Sequence, residues 1–104
     1  LKATPHRVVG PGQPIRARSD STWTVPEPEL GLVLTPDLRI AGYTLGNDVS
    51  ARDIEGANPL YLPQAKVYDA CCSLGPCVTL ASSMPEGAIG IRLRIDRSGH
   101  TLYE

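Results

Sequence analysis

Two acidic side chains separated by one residue, Glu27 and Glu29, begin the stretch of this sequence that is best suited to chemistry. In an extended segment, residues i and i+2 point to the same face, and their Cα atoms lie roughly 6–7 Å apart. Both carboxylates can therefore reach one ion, whereas two bare carboxylates in a buried site would repel each other. A solvated strand face is the alternative interpretation, because short acidic motifs often occur by chance.

A third carboxylate, Asp48, ends a second apolar run of the sequence. Residues 30–34 predict a buried strand, residues 35–38 predict a tight turn, and residues 39–48 are expected to return as an antiparallel strand. Because the open ends of a hairpin lie side by side, Asp48 is expected close to the acidic pair. Three such carboxylates predict a site for Mg²⁺, or for Mn²⁺ or Ca²⁺. Gly46 predicts a close backbone approach or a bulge near this site.

The residues that follow Asp48 have the pattern of a helix start. Ser50 and Asp53 have the spacing of a capping box, and a short helix is predicted over residues 51–56. The positive end of that helix would favour a negative charge on Asp48. This pattern gives Arg52 and Asp53 structural functions, in an ion pair and in the cap, and does not favour a catalytic function for either.

These segments together resemble the fumarylacetoacetate hydrolase superfamily. The resemblance is carried by E-P-E-L at residues 27–30 and by the eight residues G-N-D-V-S-A-R-D at 46–53. That family builds its metal site from an E-x-E pair and from the Asp of an N-D-x-S-A-R-D motif, which implies that Glu27, Glu29 and Asp48 are metal ligands. The short gap between the motifs and the run 58–66 look most like the 2-keto-3-deoxy-pentonate (arabinonate/xylonate) dehydratase branch.

The resemblance also implies a fold and an assembly. We expect an α+β, predominantly β domain with the mixed multilayer β-sheets of the fumarylacetoacetate hydrolase C-terminal domain, which short strands with one helix permit. Members of the family have more chain on both sides, so residues 1–104 are expected to form a single domain that is a fragment of the catalytic domain. Homo-oligomers are usual in the family, and one is expected here.

The function implied by the resemblance is a Mg²⁺-dependent dehydratase. It would convert 2-keto-3-deoxy-D-arabinonate or -xylonate to 2,5-dioxopentanoate through a metal-stabilised enolate. Lys66 follows a stiff loop predicted over residues 58–64. Sequence pattern alone would place this lysine at the surface, but the resemblance implies that it contacts the 2-oxo acid substrate as a catalytic residue. The general acid or base is expected in sequence that precedes this segment.

Two other functions stay open from the sequence. The same metal platform would serve a hydrolase that cleaves a C–C bond of an acylpyruvate or β-diketone by attack of water on a carbonyl. A catalytically incomplete fragment with no turnover belongs to a different class. The run 58–66 and the short gap between the metal motifs favour the dehydratase.

Composition and charge exclude several classes of partner. The chain has 104 residues, a net charge of −1 and a sequence pI of about 6.1, so neither nucleic acid nor a membrane surface is expected as a partner. An odd number of cysteines, with Cys71 and Cys72 adjacent, argues against a disulfide framework and favours a reducing compartment, by default the cytoplasm. The cysteines lack the spacing of a zinc site, so buried small side chains are expected.

Other segments predict short strands. Residues 15–18 predict a half-exposed strand, residues 77–80 a buried strand, and residues 89–95 an alternating strand with Ile91, Leu93 and Ile95 facing inward. Residues 96–99 predict a turn to a final strand. The single tryptophan, Trp23, is expected to pack against the protein interior.

Overall fold

The computed structural model describes residues 2–84 and 86–104, and most of its regular structure is β-strand. Its helices are short, so the predicted α+β, predominantly β class is confirmed. No helix within these residues is both long and apolar enough to cross a membrane. In chain order the strands and α-helices are β1 (Val8–Val9), β2 (Thr24–Val25), β3 (Pro28–Leu34), β4 (Ile40–Asp48), β5 (Ser50–Ala51), α1 (Arg52–Ala57), α2 (Leu62–Lys66), β6 (Cys72–Leu80), β7 (Ile95–Arg97) and β8 (His100–Tyr103). Single 3-10 turns lie at Pro5–Arg7, Pro59–Tyr61 and Ala81–Ser83.

A four-stranded sheet in the order β1-β6-β4-β3 forms the centre of the described chain. The β3–β4 hairpin is antiparallel, as predicted, with Glu29 opposite Gly46. Its turn is closed by the Leu38 N–H, which donates to Thr35 O at 2.9 Å. Strand β4 also pairs antiparallel with β6, which places Asp48 opposite Cys72. Strand β4 therefore runs through the middle of the sheet and ends at the candidate site.

The described residues form two further sheets of two strands each. Strands β2 and β5 pair antiparallel, with Val25 opposite Ser50, so the segment before the acidic pair is held against the segment after Asp48. Strands β7 and β8 form the predicted C-terminal hairpin. Its turn includes Ser98 and Gly99, both with positive φ.

The helical region differs from its prediction in two ways. Helix α1 begins at Arg52, one residue later than expected, and its N-cap is Ala51, the last residue of β5. The capping box is therefore wrong, and Asp53 instead accepts hydrogen bonds from the Ser21 hydroxyl and the Thr22 N–H. Helix α2 lies where a loop was predicted up to residue 64, and Lys66 is its last residue.

Small side chains make up the buried part of the described chain. Most buried residues lie directly after β4 and before or at the start of β6, and the buried set comprises Gly42, Val49, Ser50, Ala51, Ala65, Ala70, Cys71 and Cys72. Burial of two of the three cysteines agrees with the expectation of small buried side chains, but Cys77 is exposed. The buried cluster therefore lies beside the end of β4 that carries Asp48.

Large apolar side chains that were expected to be buried are exposed. Strand β3 exists as predicted, yet Leu32 is 53 % exposed, and Trp23 is 60 % exposed. The predicted strand at 77–80 belongs to the longer β6, whose Val78 and Leu80 are also exposed. Periodicity and apolar content predicted these strands, but no other described element covers their apolar faces.

Two predicted strands are absent from the described residues. Residues 15–18 are irregular, and the Arg16 N–H donates a single backbone hydrogen bond to Ala70 O. Of the predicted strand 89–95, only Ile95 belongs to a strand, and Ile89 and Ile91 are each 43 % exposed. An alternating pattern predicts a strand only where a neighbouring strand supplies its hydrogen bonds.

Candidate metal centre

Strand pairing brings the three predicted carboxylates to one place. The Asp48 N–H donates to Glu27 O at 2.9 Å, which continues the β3–β4 pairing to the edge of the sheet. The Glu27 N–H donates to the side-chain oxygen of Asn47 at 3.1 Å. One carboxylate oxygen from each of Glu27, Glu29 and Asp48 then lies within 4.8 Å of the others. The three predicted residues therefore form one acidic group.

Glu27 is held by two cationic side chains. Its Oε1 accepts a hydrogen bond from Arg52, and its Oε2 accepts one from Lys66 Nζ at 2.7 Å. Burial raises the pKa of Glu27, but the hydrogen bond and charge of Lys66, together with the charge of Arg52, outweigh burial. The pKa of Glu27 consequently lies below its ordinary value, so this carboxylate is charged at neutral pH.

Lys66 lies at the centre of the group. Its Nζ donates to Glu27 Oε2, to Asp48 Oδ2 at 3.1 Å and to Ser50 Oγ at 2.7 Å, and its side chain is 12 % exposed. Burial lowers the pKa of Lys66, but its two carboxylate partners raise the pKa by a larger amount. Lys66 is therefore a protonated, largely buried cation. The surface position that sequence pattern alone gave this residue is wrong.

Asp48 has a cation at each oxygen. Lys66 contacts Oδ2, and Lys2 Nζ lies 2.6 Å from Oδ1. Oδ1 is buried and has no partner with hydrogen-bond geometry among the described residues, so its contact with Lys2 is an ion pair and no more. A buried carboxylate oxygen with unused lone pairs can bind a cation.

Sequence reasoning missed Lys2 and Glu55, and it did not predict that Arg52 would contact Glu27. Arg52 donates to Glu55 at 2.7 Å within α1, an i,i+3 pair that the sequence spacing could have revealed. Glu55 also lies 4.0 Å from Lys66 Nζ. No local pattern indicates Lys2, because it lies 46 positions before Asp48 and meets it only through the fold.

A cavity of about 230 Å³ lies beside the acidic group. Its walls include Lys2, Glu29, Asn47, Asp48, Cys72 and Leu74. Glu29 is exposed, and within the described part of the chain its carboxylate forms no ion pair. Burial raises the pKa of the Cys72 thiol, which therefore stays neutral at physiological pH. The cavity is large enough for a small organic acid.

The residues present fit a hard divalent cation. Carboxylate oxygens are the ligands that Mg²⁺, Mn²⁺ and Ca²⁺ prefer, and the close group of possible ligands found in the described residues contains neither Cys nor His. Asp48 Oδ1, which is buried and accepts no hydrogen bond within the described residues, is a further sign of fit. A cation bound here would have to share or displace the contacts that Lys2, Lys66 and Arg52 now make.

Comparison with known proteins defines the class. The sequence model described as Fumarylacetoacetate (FAA) hydrolase C-terminal matches residues 2–103, and the chain belongs to this family. A probable 2-keto-3-deoxyxylonate dehydratase of Haloferax volcanii is 56 % identical, and the alignment covers 100 % of this chain and 36 % of that protein. A 2-dehydro-3-deoxy-D-arabinonate dehydratase of Saccharolobus solfataricus is 50 % identical over 100 % of this chain and 35 % of its own length.

A solved structure has the same fold. It is described as 2-keto-3-deoxy-D-arabinonate dehydratase complexed with magnesium and 2,5-dioxopentanoate, and it superposes with a TM-score of 0.78 at 55 % identity. The superposition covers 80 % of this chain and 30 % of that chain. The chain thus spans about a third of the length of the relatives it matches.

Proposed function

We propose that this chain is part of a Mg²⁺-dependent dehydratase that acts on 2-keto-3-deoxy sugar acids. The proposed reaction converts 2-keto-3-deoxy-D-arabinonate or -xylonate to 2,5-dioxopentanoate and water. One observation carries the proposal: the three carboxylates meet within 4.8 Å in a chain that is at least half identical, over its whole length, to two pentonate dehydratases.

Glu27, Glu29 and Asp48 are the proposed ligands of the cation. When bound, Mg²⁺ would supply a Lewis acid that polarises the keto group of a 2-oxo acid and makes the C3 protons more acidic. Glu29, exposed toward solvent and free of ion pairs in the described residues, needs no rearrangement to bind a cation. Glu27 and Asp48 are oriented by their ammonium and guanidinium partners.

Lys66 is the proposed catalytic residue. Its side chain is 12 % exposed, so its ammonium group is largely shielded from water and interacts strongly with an anion. Ser50 is fully buried and accepts one Lys66 hydrogen bond, so it holds the ammonium group when a carboxylate partner is taken by a cation. Lys66 would then hold the substrate carboxylate or stabilise negative charge on the keto oxygen.

The assay that tests the proposal uses the full chain with Mg²⁺ and 2-keto-3-deoxy-arabinonate or -xylonate. Formation of 2,5-dioxopentanoate is followed by a coupled aldehyde dehydrogenase that reduces NAD⁺ or NADP⁺. We expect turnover that chelation abolishes and added Mg²⁺ restores. Cleavage of an acylpyruvate with no dehydration would favour the C–C hydrolase, and cation binding with no turnover of either would favour an inactive protein.

Glu29→Gln is the sharpest variant for this assay. It removes one proposed ligand charge from an exposed side chain, so we expect turnover to fall by at least about 100-fold, the loss of about 2.7 kcal/mol of transition-state stabilisation. The thermal midpoint should change little. Glu86→Gln, at an exposed glutamate outside the acidic group, is the matched control and should leave turnover unchanged. Undiminished turnover in Glu29→Gln would contradict the proposed ligand set.

We further propose three properties of the whole protein that accompany this activity. Residues 1–104 would belong to a single catalytic domain, the protein would form a homo-oligomer, and it would work in the cytoplasm. The exposed apolar side chains of β3 and β6 support the first two, because apolar faces of this kind mark contacts with other protein surfaces. Sedimentation of the full chain and its subcellular fractionation test the assembly and the location.

A further inference from the structure

Lys2 holds together three parts of the site. Its Nζ lies 2.6 Å from Asp48 Oδ1, and it donates to the backbone oxygens of Val49 at 2.9 Å and of Lys66 at 2.8 Å. The two hydrogen bonds and the ion pair hold the Lys2 ammonium group between Asp48 and the two backbone oxygens. The side chain is 19 % exposed, so this charge is weakly screened by solvent.

The charges around Lys2 are nearly balanced. Among the described residues, the connected group contains four carboxylates, those of Glu27, Glu29, Asp48 and Glu55, against three cations, Lys2, Lys66 and Arg52. One negative charge is left over. A bound divalent cation would therefore give the group one net positive charge, which suits a ligand with a single carboxylate.

Removal of Lys2 changes this balance. The group would then have two surplus negative charges, which a divalent cation would neutralise completely, and no net charge would be left to attract an anionic ligand. Repulsion between Lys2 and a cation at Asp48 also opposes cation binding, because the interaction of charges a few Å apart is large where water is scarce. Lys2 thus opposes binding of the divalent cation and favours binding of an anionic ligand.

We propose that Lys2 is a positioning residue that weakens cation binding at Glu27, Glu29 and Asp48 and strengthens binding of the anionic 2-oxo acid. This inference rests on the proposed function, because it assumes a divalent cation at these carboxylates. Lys2 acts through its contacts with Asp48 and the Lys66 backbone, and it forms no bond to the substrate. The cavity beside the acidic group has Lys2 in its wall, within reach of an anion held there.

The test measures two affinities in the full chain. Mn²⁺ binding is measured by electron paramagnetic resonance, and pyruvate binding is measured by calorimetry at saturating Mn²⁺. Pyruvate is a 2-oxo acid without a C4 hydroxyl, so it binds without being dehydrated. In Lys2→Met we expect the Mn²⁺ dissociation constant to fall about ten-fold and the pyruvate dissociation constant to rise about five-fold, as order-of-magnitude consequences of removing one charge.

Three further variants separate charge from packing. Lys2→Arg keeps the positive charge and should restore both affinities to within about two-fold of the wild type. Lys2→Gln keeps a donor for the backbone oxygens but has no charge. It should therefore show the same changes in the two affinities that are expected for Lys2→Met, and it replaces Lys2→Met in the test if that variant folds poorly. Arg16→Met removes an exposed cation from its pair with Asp69 and should change neither affinity.

The outcomes distinguish this inference from the proposed function. A purely structural Lys2 would lower the thermal midpoint and weaken both ligands together, or leave both unchanged, and either result would overturn the inference. Wild-type protein that binds no Mn²⁺ would overturn the proposed function and the inference with it. Mn²⁺ binding by the wild type, with affinities shifted in opposite directions in Lys2→Gln, would support both.

Discussion

The two ends of the central sheet differ sharply in what surrounds them. At the end that carries Asp48, the neighbouring residues are small and buried, and include Ser50, Ala51 and Cys72. At the opposite end, Leu34 of β3 and Leu80 of β6 are 50 % and 65 % exposed. The same strands therefore have a packed end with charged groups and an apolar end that the described residues leave open.

Small residues explain the packed end. The buried residues there have small side chains, so the charged side chains beside them can approach one another closely. These buried residues are Val49, Ser50, Ala51, Ala65 and Cys71. Lys66 and Asp48 are 12 % and 13 % exposed at their side chains, which makes their interaction stronger than an ordinary surface ion pair. The charged groups of the site therefore rest on small, buried residues, whereas the open end lies away from them.

Asp48→Asn should have the largest effect, because it acts at the packed end. It leaves Lys2 and Lys66 without a shared carboxylate, although both lysines keep other partners. We expect a loss of about 3 kcal/mol in the free energy of unfolding, at the lower end of the range for a broken buried pair, measured by urea denaturation. Cation binding should be lost as well.

The control for Asp48→Asn is Asp37→Asn, which breaks an exposed pair with Arg39 in the β3–β4 turn. Its loss of stability should be much smaller, because an exposed ion pair contributes little to the free energy of unfolding. Equal losses in the free energy of unfolding would mean that the ion pairs of Asp48 stabilise the fold no more than an exposed ion pair does.

Gly42→Ala should have the next largest effect. It tests whether the backbones of β4 and β6 are closely packed at the open end, where the side chains are exposed. A Cβ on Gly42 would lie 2.5 Å from Thr79 O and 2.7 Å from Val78 Cγ1, and the first of these is backbone. We expect a loss of about 1–3 kcal/mol, the usual cost of overpacking, measured by thermal unfolding. The open end would then be exposed in its side chains but tightly paired in its backbone.

Gly46→Ala is the matched substitution at the packed end. Its Cβ would meet only Leu74 Cδ2 at 3.4 Å and Glu29 O at 3.8 Å, which are ordinary contacts. A much smaller loss is therefore expected than in Gly42→Ala. The close backbone approach that the sequence predicted for Gly46 is found at Gly42, four residues earlier on the same strand.

Local patterns predicted the parts of the molecule that local forces determine. The β3–β4 hairpin and the turn before β8 follow from turn residues and apolar periodicity. The helix after Ala51 was predicted to within one residue, although the capping box that predicted it is not formed. The meeting of Glu27, Glu29 and Asp48 follows from antiparallel pairing alone. Their function as metal ligands stays a prediction.

Contacts between distant segments could not be predicted from the sequence. The ion pair of Lys2 with Asp48 depends on β1 lying parallel to β6, and the contact of Asp53 with Ser21 depends on β2 pairing with β5. Burial was overestimated at Leu32 for a related reason. An apolar pattern indicates which face should be covered, but it does not indicate which element covers it.

The pH dependence of the loop at Thr22 tests a smaller contact near the packed end. The Thr22 N–H donates to Asp53 Oδ2 at 2.8 Å, and this bond, with that of the Ser21 hydroxyl, holds the pKa of Asp53 well below its usual range. A lowered folded-state pKa adds stability above the unfolded value, about 3.9, and that stability is lost as the pH falls through the folded value.

We therefore expect the Thr22 amide resonance in NMR spectra to keep its neutral-pH shift at pH 4 and to move only at lower pH. In Asp53→Asn the acid transition should disappear, and the amide should exchange faster with solvent at neutral pH. A midpoint near or above 3.9 in the wild type would contradict the charged hydrogen bond.

Leu34→Ser should have the smallest effect, because it acts at the open end. Leu34 is the last residue of β3 and is already 50 % exposed, so a polar side chain there should change the free energy of unfolding by less than about 0.5 kcal/mol if the described residues are its only neighbours. A loss of about 2 kcal/mol or more in the full chain would show that another surface covers this end, since that is the cost of removing a buried leucine. Val49→Ser, the matched change beside Asp48, should cost more than Leu34→Ser if the packed end is the rigid one. The ratio of the two losses is thus a direct measure of how differently the two ends of the sheet are packed.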